Sequence, residues 1–347
     1  MGCKPLPDWK NVLEEIAVET AKQTSSVFDL VRRRYLKQLA DHTGRNVIAY
    51  YSGFLTKGNV EGIEITEEDK NGFMLSIHEL DRSKGLDLIL HTPGGSVAAA
   101  ESIVVYLRAM FGNDVRAIVP QLAMSAGTMI ACSCRSIIMG KQSNLGPVDP
   151  HFNGIPAVGV LEEIKRAFNE IKSDPAYTQI WNPILSQMPP SFVQQCSWAV
   201  ERSQAFVQEA LCLNMFSGKP QPEREVAAGY IRDKLTNLGE NKGHDRHFHL
   251  QDCEAMGLVV ERLEDDPALQ DIVLTIHHCY MHTLANTPAF KVIENQDGKA
   301  MVRQQQQQFM LMPGQAPMPQ AFMPGGSSLP VLEASERPPE AISEPSE

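Results

Sequence analysis

Residues 86–131 read LDLILHTPGGSVAAAESIVVYLRAMFGNDVRAIVPQLAMSAGTMIA, and this stretch decides the fold of the chain. It opens with an apolar run over 86–91, which is typical of a strand buried on both faces. The pattern that follows predicts a helix over 96–111, a strand over 115–119 and a helix over 125–134. Because strands and helices alternate, the sequence predicts parallel β-α-β crossovers and an α/β fold.

Upstream of this stretch, the sequence predicts helices, a strand and one more helix. Apolar positions recur at spacings of three and four over 10–41, which predicts one or two amphipathic helices. The β-branched and aromatic run over 46–55 is typical of a strand. Residues 65–80 predict a short helix with Thr66 as its N-cap.

Downstream, the sequence predicts a strand over 136–139 and a helix-rich section over 158–238. Residues 250–261 predict a helix that stops at Gly257 and is followed by a last strand. A further helix is predicted over 267–286.

Three regions are predicted along the chain: a helical segment over 1–45, an α/β domain over 46–300 and a tail over 301–347. The tail is rich in Gln, Pro, Met and Ser. Such a segment cannot bury enough apolar surface to offset its chain entropy, so we expect it to be disordered.

Composition excludes several classes of protein. The hydrophobic fraction of 43% and charged fraction of 21% are typical of a globular protein. The net charge of -11 argues against nucleic acid as the main partner, because binding to phosphates needs a basic face. The seven scattered cysteines form no CxxC pair, which favours a reducing compartment. The sequence has no secretory signal and no apolar run of about 20 residues, so it predicts a cytoplasmic protein without a transmembrane segment.

Ser125 stands between a predicted strand and a predicted helix, among small and apolar residues. A serine hydroxyl becomes a nucleophile when a base takes its proton and N–H donors stabilise the oxyanion. The N–H of Ala126, at a helix N-terminus, and the N–H groups of Gly94 and Gly95 are candidate donors. Two plainer interpretations stay open from the pattern alone: Ser125 as a helix N-cap and TPGG as a simple turn.

Three motifs follow one another: HTPGG at 91–95, AMSAGT at 123–128 and SNLGPVDP at 143–150. In this order and spacing they resemble the serine dehydrogenase proteinase family. This family belongs to the Clp-protease/crotonase superfamily and is related to signal peptide peptidase A. The resemblance runs from about residue 50 to residue 298.

The resemblance implies a Clp/crotonase-like β-α spiral superhelix with helical additions. It implies Ser125 as the nucleophile, with oxyanion donors from the Gly94–Gly95 loop and from Ala126. It also implies protein or peptide substrates and self-assembly into homo-oligomers.

The general base has two candidates. Relatives of signal peptide peptidase A use a lysine on a later helix, and Lys165 lies beside Ile164 on a predicted amphipathic helix. As a base, Lys165 would need desolvation to lower its pKa, and a solvated surface lysine is the alternative. Clp-type enzymes use His and Asp instead, for which His151 and Asp245 are the candidates. Lys165 is the first choice and the His151–Asp245 pair the second.

The sequence therefore predicts a serine endopeptidase that forms an acyl-enzyme on Ser125 and needs no cofactor. The alternative is a non-catalytic oligomeric scaffold that binds peptides or a partner in the same groove. Acyl-CoA chemistry of the crotonase kind ranks third. His278 and His282 stand four apart on a predicted helix, a spacing that can hold a metal. The cluster at 244–249 is too compressed for a known zinc finger and no HExxH occurs, so no metal site is predicted.

Overall fold

The predicted succession of strands and helices is present in the computed structural model, which describes residues 9–21, 27–58, 60–152, 154–236 and 246–305. The strands of these residues are β1 (Asn46–Ser52), β2 (Leu86–His91), β3 (Val115–Val119), β4 (Leu122–Ala123), β5 (Ser136–Met139), β6 (Asn144–Leu145), β7 (His151–Phe152), β8 (Ile155–Pro156), β9 (Phe248–His249), β10 (Val260–Arg262), β11 (Ala289–Asn295) and β12 (Ala300–Gln304). The helices are α1 (Trp9–Ala21), α2 (Val27–Thr43), α3 (Phe54–Lys57), α4 (Asp69–Ile77), α5 (Val97–Phe111), α6 (Ala126–Cys132), α7 (Ala157–Ser173), α8 (Thr178–Leu185), α9 (Phe192–Leu213), α10 (Gln221–Thr236), α11 (Leu250–Met256) and α12 (Pro267–Asn286).

Within the described residues, seven strands form the main sheet in the order β10-β5-β3-β2-β1-β11-β12. From β10 to β1 every neighbouring pair is parallel, as the alternation of strands and helices predicts. β11 and β12 extend the sheet as antiparallel strands. The predicted α/β fold class is confirmed.

The loops that carry two of the three motifs follow neighbouring strands. β2 pairs with β3 in parallel, from Leu86 opposite Val115 to Ile89 opposite Ile118. The carboxyl ends of parallel strands meet at one edge of a sheet, where ligands bind in open α/β folds. This pairing therefore brings the HTPGG loop and the start of α6 to the same edge.

The sheet is covered on both faces, which explains the apolar run of β2. Successive side chains of a strand point to opposite faces. Leu88 and Leu90 lie in the core that includes α5 and α6, whereas Ile89 lies in the core that includes α2 and α12. All six residues of β2 are buried, as predicted.

Two of the elements predicted before β2 differ from the observed ones. The prediction of Thr66 as an N-cap is wrong, because α4 begins at Asp69 and the Thr66 N–H donates to the Asp69 carboxylate at 2.9 Å. The strand predicted over 46–55 ends at Ser52, and the following residues form the short helix α3. The side chain of Asp69 thus bonds to the backbone before α4, and the Thr66 side chain does not have the capping role predicted for it.

The strand after α11 is not the last one, which corrects a third prediction. β11 and β12 follow it and form the antiparallel edge of the sheet. β11 contains the buried charges Lys291 and Glu294. These charges interrupt the apolar pattern from which a strand is normally predicted.

The amino-terminal helices and the end of the described chain both join the sheet domain. α1 and α2 share a core with α12 and with one face of the main sheet. β12 extends to Gln304, so residues 301–304 of the predicted tail lie in the sheet. Residues 306–347 lie outside the described residues, and the predicted domain boundaries and tail disorder stay predictions. None of the helices formed by the described residues has the length and apolar character needed to cross a bilayer.

Candidate active site

The three sequence motifs pack against one another at the edge of the sheet. The Thr128 hydroxyl lies 3.0 Å from both the N–H and the carbonyl of Gly146, which joins α6 to the third motif. Gly127 lies against the first motif, since a Cβ there would stand 2.5 Å from the Thr92 methyl group. The hydroxyl at 128 and the missing side chain at 127 therefore allow the motifs to form one site.

Ser125 has an unusual backbone. Its φ of 50° and ψ of -116° lie in a region that residues with a side chain rarely adopt. The residue occupies the N-cap position of α6, but its hydroxyl makes no capping hydrogen bond. Helix capping therefore does not explain this serine. A strained turn between a strand and a helix is instead typical of an exposed nucleophile.

The glycine loop lies directly beside Ser125. A Cβ on Gly94 would stand 2.7 Å from the Ser125 Cβ, so only glycine allows this approach. The Gly94 N–H donates to Thr92 Oγ1 at 3.2 Å and is already engaged. On the other side of the loop, the Ile65 N–H donates to Gly94 O at 2.7 Å and the Ser96 N–H donates to Ile65 O at 2.9 Å.

Within the described part of the chain, two backbone N–H groups near Ser125 have no hydrogen-bond acceptor. Successive peptide groups of extended backbone point to opposite sides, so the Gly95 N–H points away from Ile65. Ala126 is the first residue of α6 and has no acceptor within its own helix. Neither N–H donates a hydrogen bond to another residue in the described part of the chain. Such donors are what an oxyanion requires.

Ser125 lines a cleft of about 740 Å³. The lining residues are Glu64, Pro93, Gly95, Ser96, Val97, Ser125, Met129, Val148, Asp149, Pro150, His151, Phe152, Gly154, Ala199 and Ser203. Among the described residues, the cleft thus receives two carboxylates and one imidazole but no lysine or arginine. Its lining is acidic, and both Gly95 and Ser125 face it.

His151 lies in the same cleft, at the start of the β7–β8 hairpin. Its Nδ1 lies 3.0 Å from Asp149 O, and its Nε2 lies 3.5 Å from Asp149 Oδ2. Asp149 is buried, whereas His151 is partly exposed. The structure therefore brings a nucleophile candidate, an imidazole and a buried carboxylate to one cleft.

Lys165 does not line this cleft. It is exposed on α7 and lines a separate depression together with Leu161 and Phe168. An exposed ammonium group keeps the hydration that a lysine base has to lose. Asp245 lies outside the described residues. The identity of the base stays a prediction.

The histidine of the first motif belongs to the opposite face of the sheet. His91 is buried, and its ring centre lies 5.3 Å from that of Tyr51 and 5.2 Å from that of His277. Burial lowers the pKa of His91 well below its usual value and lowers the pKa of His277 to about 3. His91 is therefore a neutral core residue rather than a base for Ser125.

Sequence reasoning missed two contributors to the site. Asp149 lies two residues before His151, and this spacing is the signal that could have identified the pair. Ile65 supports the glycine loop through its backbone N–H and carbonyl. An apolar side chain carries no sequence signal for that role.

Residues 17–186 match the family model of the ClpP-like SDH-type serine proteinases. This match confirms the resemblance that the three motifs indicate and, with it, the Clp-like fold class.

Two curated relatives are uncharacterized proteins of Methanocaldococcus jannaschii. The protein MJ0137 is 41% identical over 102 residues, which are 29% of this chain and 35% of that protein. The protein MJ1495 is 36% identical over 110 residues, which are 32% of this chain and 37% of that protein. The chain thus spans only about a third of the length of these relatives.

A similar solved structure is that of a membrane-bound stomatin-specific protease, a mutant in complex with a substrate peptide. It is 20% identical, with a TM-score of 0.26, and the match covers 60% of this chain and 93% of that one.

Proposed function

We propose that this chain, whose residues 17–186 match the family model of the ClpP-like SDH-type serine proteinases, is a serine endopeptidase with Ser125 as its nucleophile. The Ser125 Oγ attacks the carbonyl carbon of a peptide bond while its proton passes to a general base. The base returns the proton to the departing amine, and water then hydrolyses the acyl-enzyme.

One observation carries this proposal. The Ser125 backbone is strained, its hydroxyl is not used for capping, and the residue lines a large cleft. A capping or purely structural serine gains nothing from such a backbone, whose strain is of the order of 1–3 kcal/mol. A nucleophile gains exposure of its hydroxyl beside open N–H donors.

We assign the oxyanion donors to the N–H groups of Gly95 and Ala126. They are open within the described chain, whereas the Gly94 N–H is engaged by Thr92. Gly94 then contributes by its lack of a side chain, because this lets the loop lie directly against Ser125. The resemblance implies donors from the Gly94–Gly95 loop and from Ala126, and this assignment leaves out the Gly94 N–H.

The test of the nucleophile is intact-mass labelling with a fluorophosphonate probe. We expect one adduct on the wild-type protein and none on Ser125→Ala, with equal thermal unfolding temperatures. Labelling that persists in Ser125→Ala would move the nucleophile elsewhere. Absence of labelling with two probe chemistries on folded protein would favour the non-catalytic peptide-binding scaffold, which would use the same cleft.

For the base, we propose His151 with Asp149 as its charged neighbour, because both line the cleft of Ser125. Lys165 is the competing base, and its exposure on α7 counts against it. We expect His151→Gln to lower the maximal acylation rate by about 100-fold or more and Lys165→Met to change it by less than about twofold. The measurement is the rate of probe attachment against pH. The reverse order of the two variants would assign the base to Lys165.

The proposed substrates are proteins or peptides, and the proposed assembly is a homo-oligomer. Large apolar side chains on α7 and α9 support self-assembly, because Phe168 is 67% exposed and Trp198 is 61% exposed. Sedimentation of the wild type and of Phe168→Ser/Trp198→Ser tests this point. Equal sedimentation of both proteins as monomers would contradict it. The predicted cytoplasmic location stays a prediction.

A further inference from the structure

A buried ion pair lies on the side of the sheet that carries the candidate site. Lys291 in β11 and Asp69 at the start of α4 are both fully buried, and Lys291 Nζ lies 2.8 Å from each Asp69 carboxylate oxygen. The Tyr50 hydroxyl donates to the same carboxylate at 2.8 Å. Apolar residues of similar volume often stabilise a core as well as a buried ion pair does. Burial of the pair is therefore weak evidence for a stabilising role, and the groups that the pair contacts decide what it does.

The pair holds the backbone on both sides of Ile65. Lys291 Nζ donates to Glu64 O at 2.6 Å. The Asp69 carboxylate accepts the N–H of Thr66 at 2.9 Å. Ile65 itself is buried. Its position is thus set by two charged side chains that come from β11 and α4.

Ile65 in turn holds the glycine loop. Its N–H and carbonyl bond to Gly94 and Ser96, the residues on either side of Gly95. Gly95 has a φ of 147°, and a Cβ there would stand 2.4 Å from Ile65 N. The two segments are therefore in direct backbone contact, and a shift of Ile65 displaces Gly95.

We infer that the Lys291–Asp69 pair is a positioning device for the oxyanion site, acting through Ile65 on the Gly95 N–H. Neither charged residue lines the cleft, so neither touches the substrate. This inference rests on the proposed function, because the place of the Gly95 N–H matters to the reaction only if Ser125 is acylated. Displacement of a donor costs rate in the chemical step and leaves substrate binding largely unchanged.

The test variant is Asp69→Asn/Lys291→Met, which removes both charges together and keeps their volumes. The control is Arg32→Met/Glu294→Gln. Arg32 and Glu294 form another fully buried pair, at 2.6 Å. Glu294 also lies on β11, and none of the hydrogen bonds of this pair within the described chain reaches Ile65 or the glycine loop. The two double variants therefore both remove a buried ion pair, but only the test variant removes one that bonds to the backbone around Ile65.

Two measurements are made on the full chain of each variant. Hydrogen–deuterium exchange reports the backbone of residues 63–66 and 94–97 directly. Phosphonylation of Ser125 by a fluorophosphonate, in which the Ser125 Oγ attacks phosphorus and fluoride leaves, stands in for the acylation step. Followed over probe concentration, it separates the maximal rate from the half-saturating concentration. In the test variant we expect faster exchange in both segments, a maximal rate lowered by about tenfold or more and an unchanged half-saturating concentration. The control should change neither readout in folded protein.

Unchanged exchange in the test variant, or equal changes in the control, would overturn the inference. A wild type that is not acylated would instead contradict the proposed function, and the exchange data would still decide whether the pair holds the glycine loop. Should the test variant fail to fold, Asp69→Asn alone replaces it, because the amide keeps the volume of Asp69 and weakens its bonds to Lys291 Nζ and to the Thr66 N–H. Smaller changes in the same direction are then expected, and their absence overturns the inference.

Discussion

Strand β11 carries one buried charged residue on each face of the main sheet, and the two residues contact different parts of the structure. Lys291 pairs with Asp69 on the site face, the side that includes α5 and α6. Glu294 pairs with Arg32 on the supporting face, the side that includes α2 and α12. Glu294 also accepts the Tyr280 hydroxyl at 2.7 Å. Both pairs are fully buried, but one fixes a loop and the other joins two helices to the sheet.

This difference separates stability from chemistry within one domain. The supporting face contains closely packed side chains, among them His91 beside His277. The site face contains backbone groups that stay open beside Ser125. We therefore expect changes on the supporting face to alter the free energy of unfolding, and changes around the glycine loop to alter the acylation rate.

The largest effect is expected from Glu294→Gln on the supporting face. It leaves the Arg32 guanidinium buried without its main counter-charge, which should lower the free energy of unfolding by about 3–5 kcal/mol. Urea denaturation followed by circular dichroism measures this loss. The acylation rate of the protein that remains folded should stay within about twofold of the wild type. A large loss of rate at unchanged stability would remove the distinction between the faces.

A smaller effect, confined to the site face, is expected from Gly95→Ala. The new Cβ would stand 2.4 Å from Ile65 N, so the loop has to move and take the Gly95 N–H with it. We expect the maximal acylation rate to fall by about 100-fold. Gly112→Ala is the matched control, since Gly112 has a φ of 61° but open space around its Cα. It should cost about 1 kcal/mol of stability and no rate. Equal rates in the two variants would contradict the donor assignment.

The effect that is smallest near neutral pH is a pH dependence that belongs to the supporting face. Burial lowers the pKa of His91 and of His277 in the folded state, whereas the unfolded chain binds these protons near pH 6.5. Both groups are neutral in either state above that pH, so the stability is fully present there. As the pH falls below 6.5, only the unfolded chain gains the protons, and each group lowers stability by about 1.4 kcal/mol per pH unit. For His277 this continues until pH about 3.

His91→Leu should remove one of these two contributions. Denaturation midpoints from pH 7.5 to pH 5 measure the slope, with wild type and variant compared at each pH. The ring of His91 faces Tyr51, Phe54 and His277, and none of these is an acid that could stabilise a charged imidazole near neutral pH. An unchanged slope in the variant would show that His91 is not the group that titrates.

Much of the fold was predictable because its central strands are apolar on both faces and alternate with helices. The bounds of β2, β3 and β5 agree with the predicted ones, and the family match confirms the resemblance carried by the three motifs. β11 was missed because Lys291 and Glu294 stand where a buried strand normally has apolar residues. The start of α4 was misplaced because the carboxylate of Asp69, and not Thr66, closes the turn.

The candidate site was predictable only in part. The resemblance pointed to Ser125 and to the glycine loop, and the structure places both at one cleft. The pairing of His151 with Asp149 was not predicted, and Lys165 lines another depression. Helical spacing can place a lysine on an amphipathic helix, but it does not show which neighbouring element that face of the helix meets.

The sequence by itself determined the alternation of parallel strands with helices, the burial of β2 and the small residues between which Ser125 stands, because these depend on local periodicity and side-chain volume. Only the tertiary structure decided which N–H groups stay open and which side chains share the cleft with Ser125. It also decided that a charge on β11 reaches the backbone of Ile65. These relations depend on contacts between residues far apart in the chain, and such contacts form only when the sheet brings its strands together.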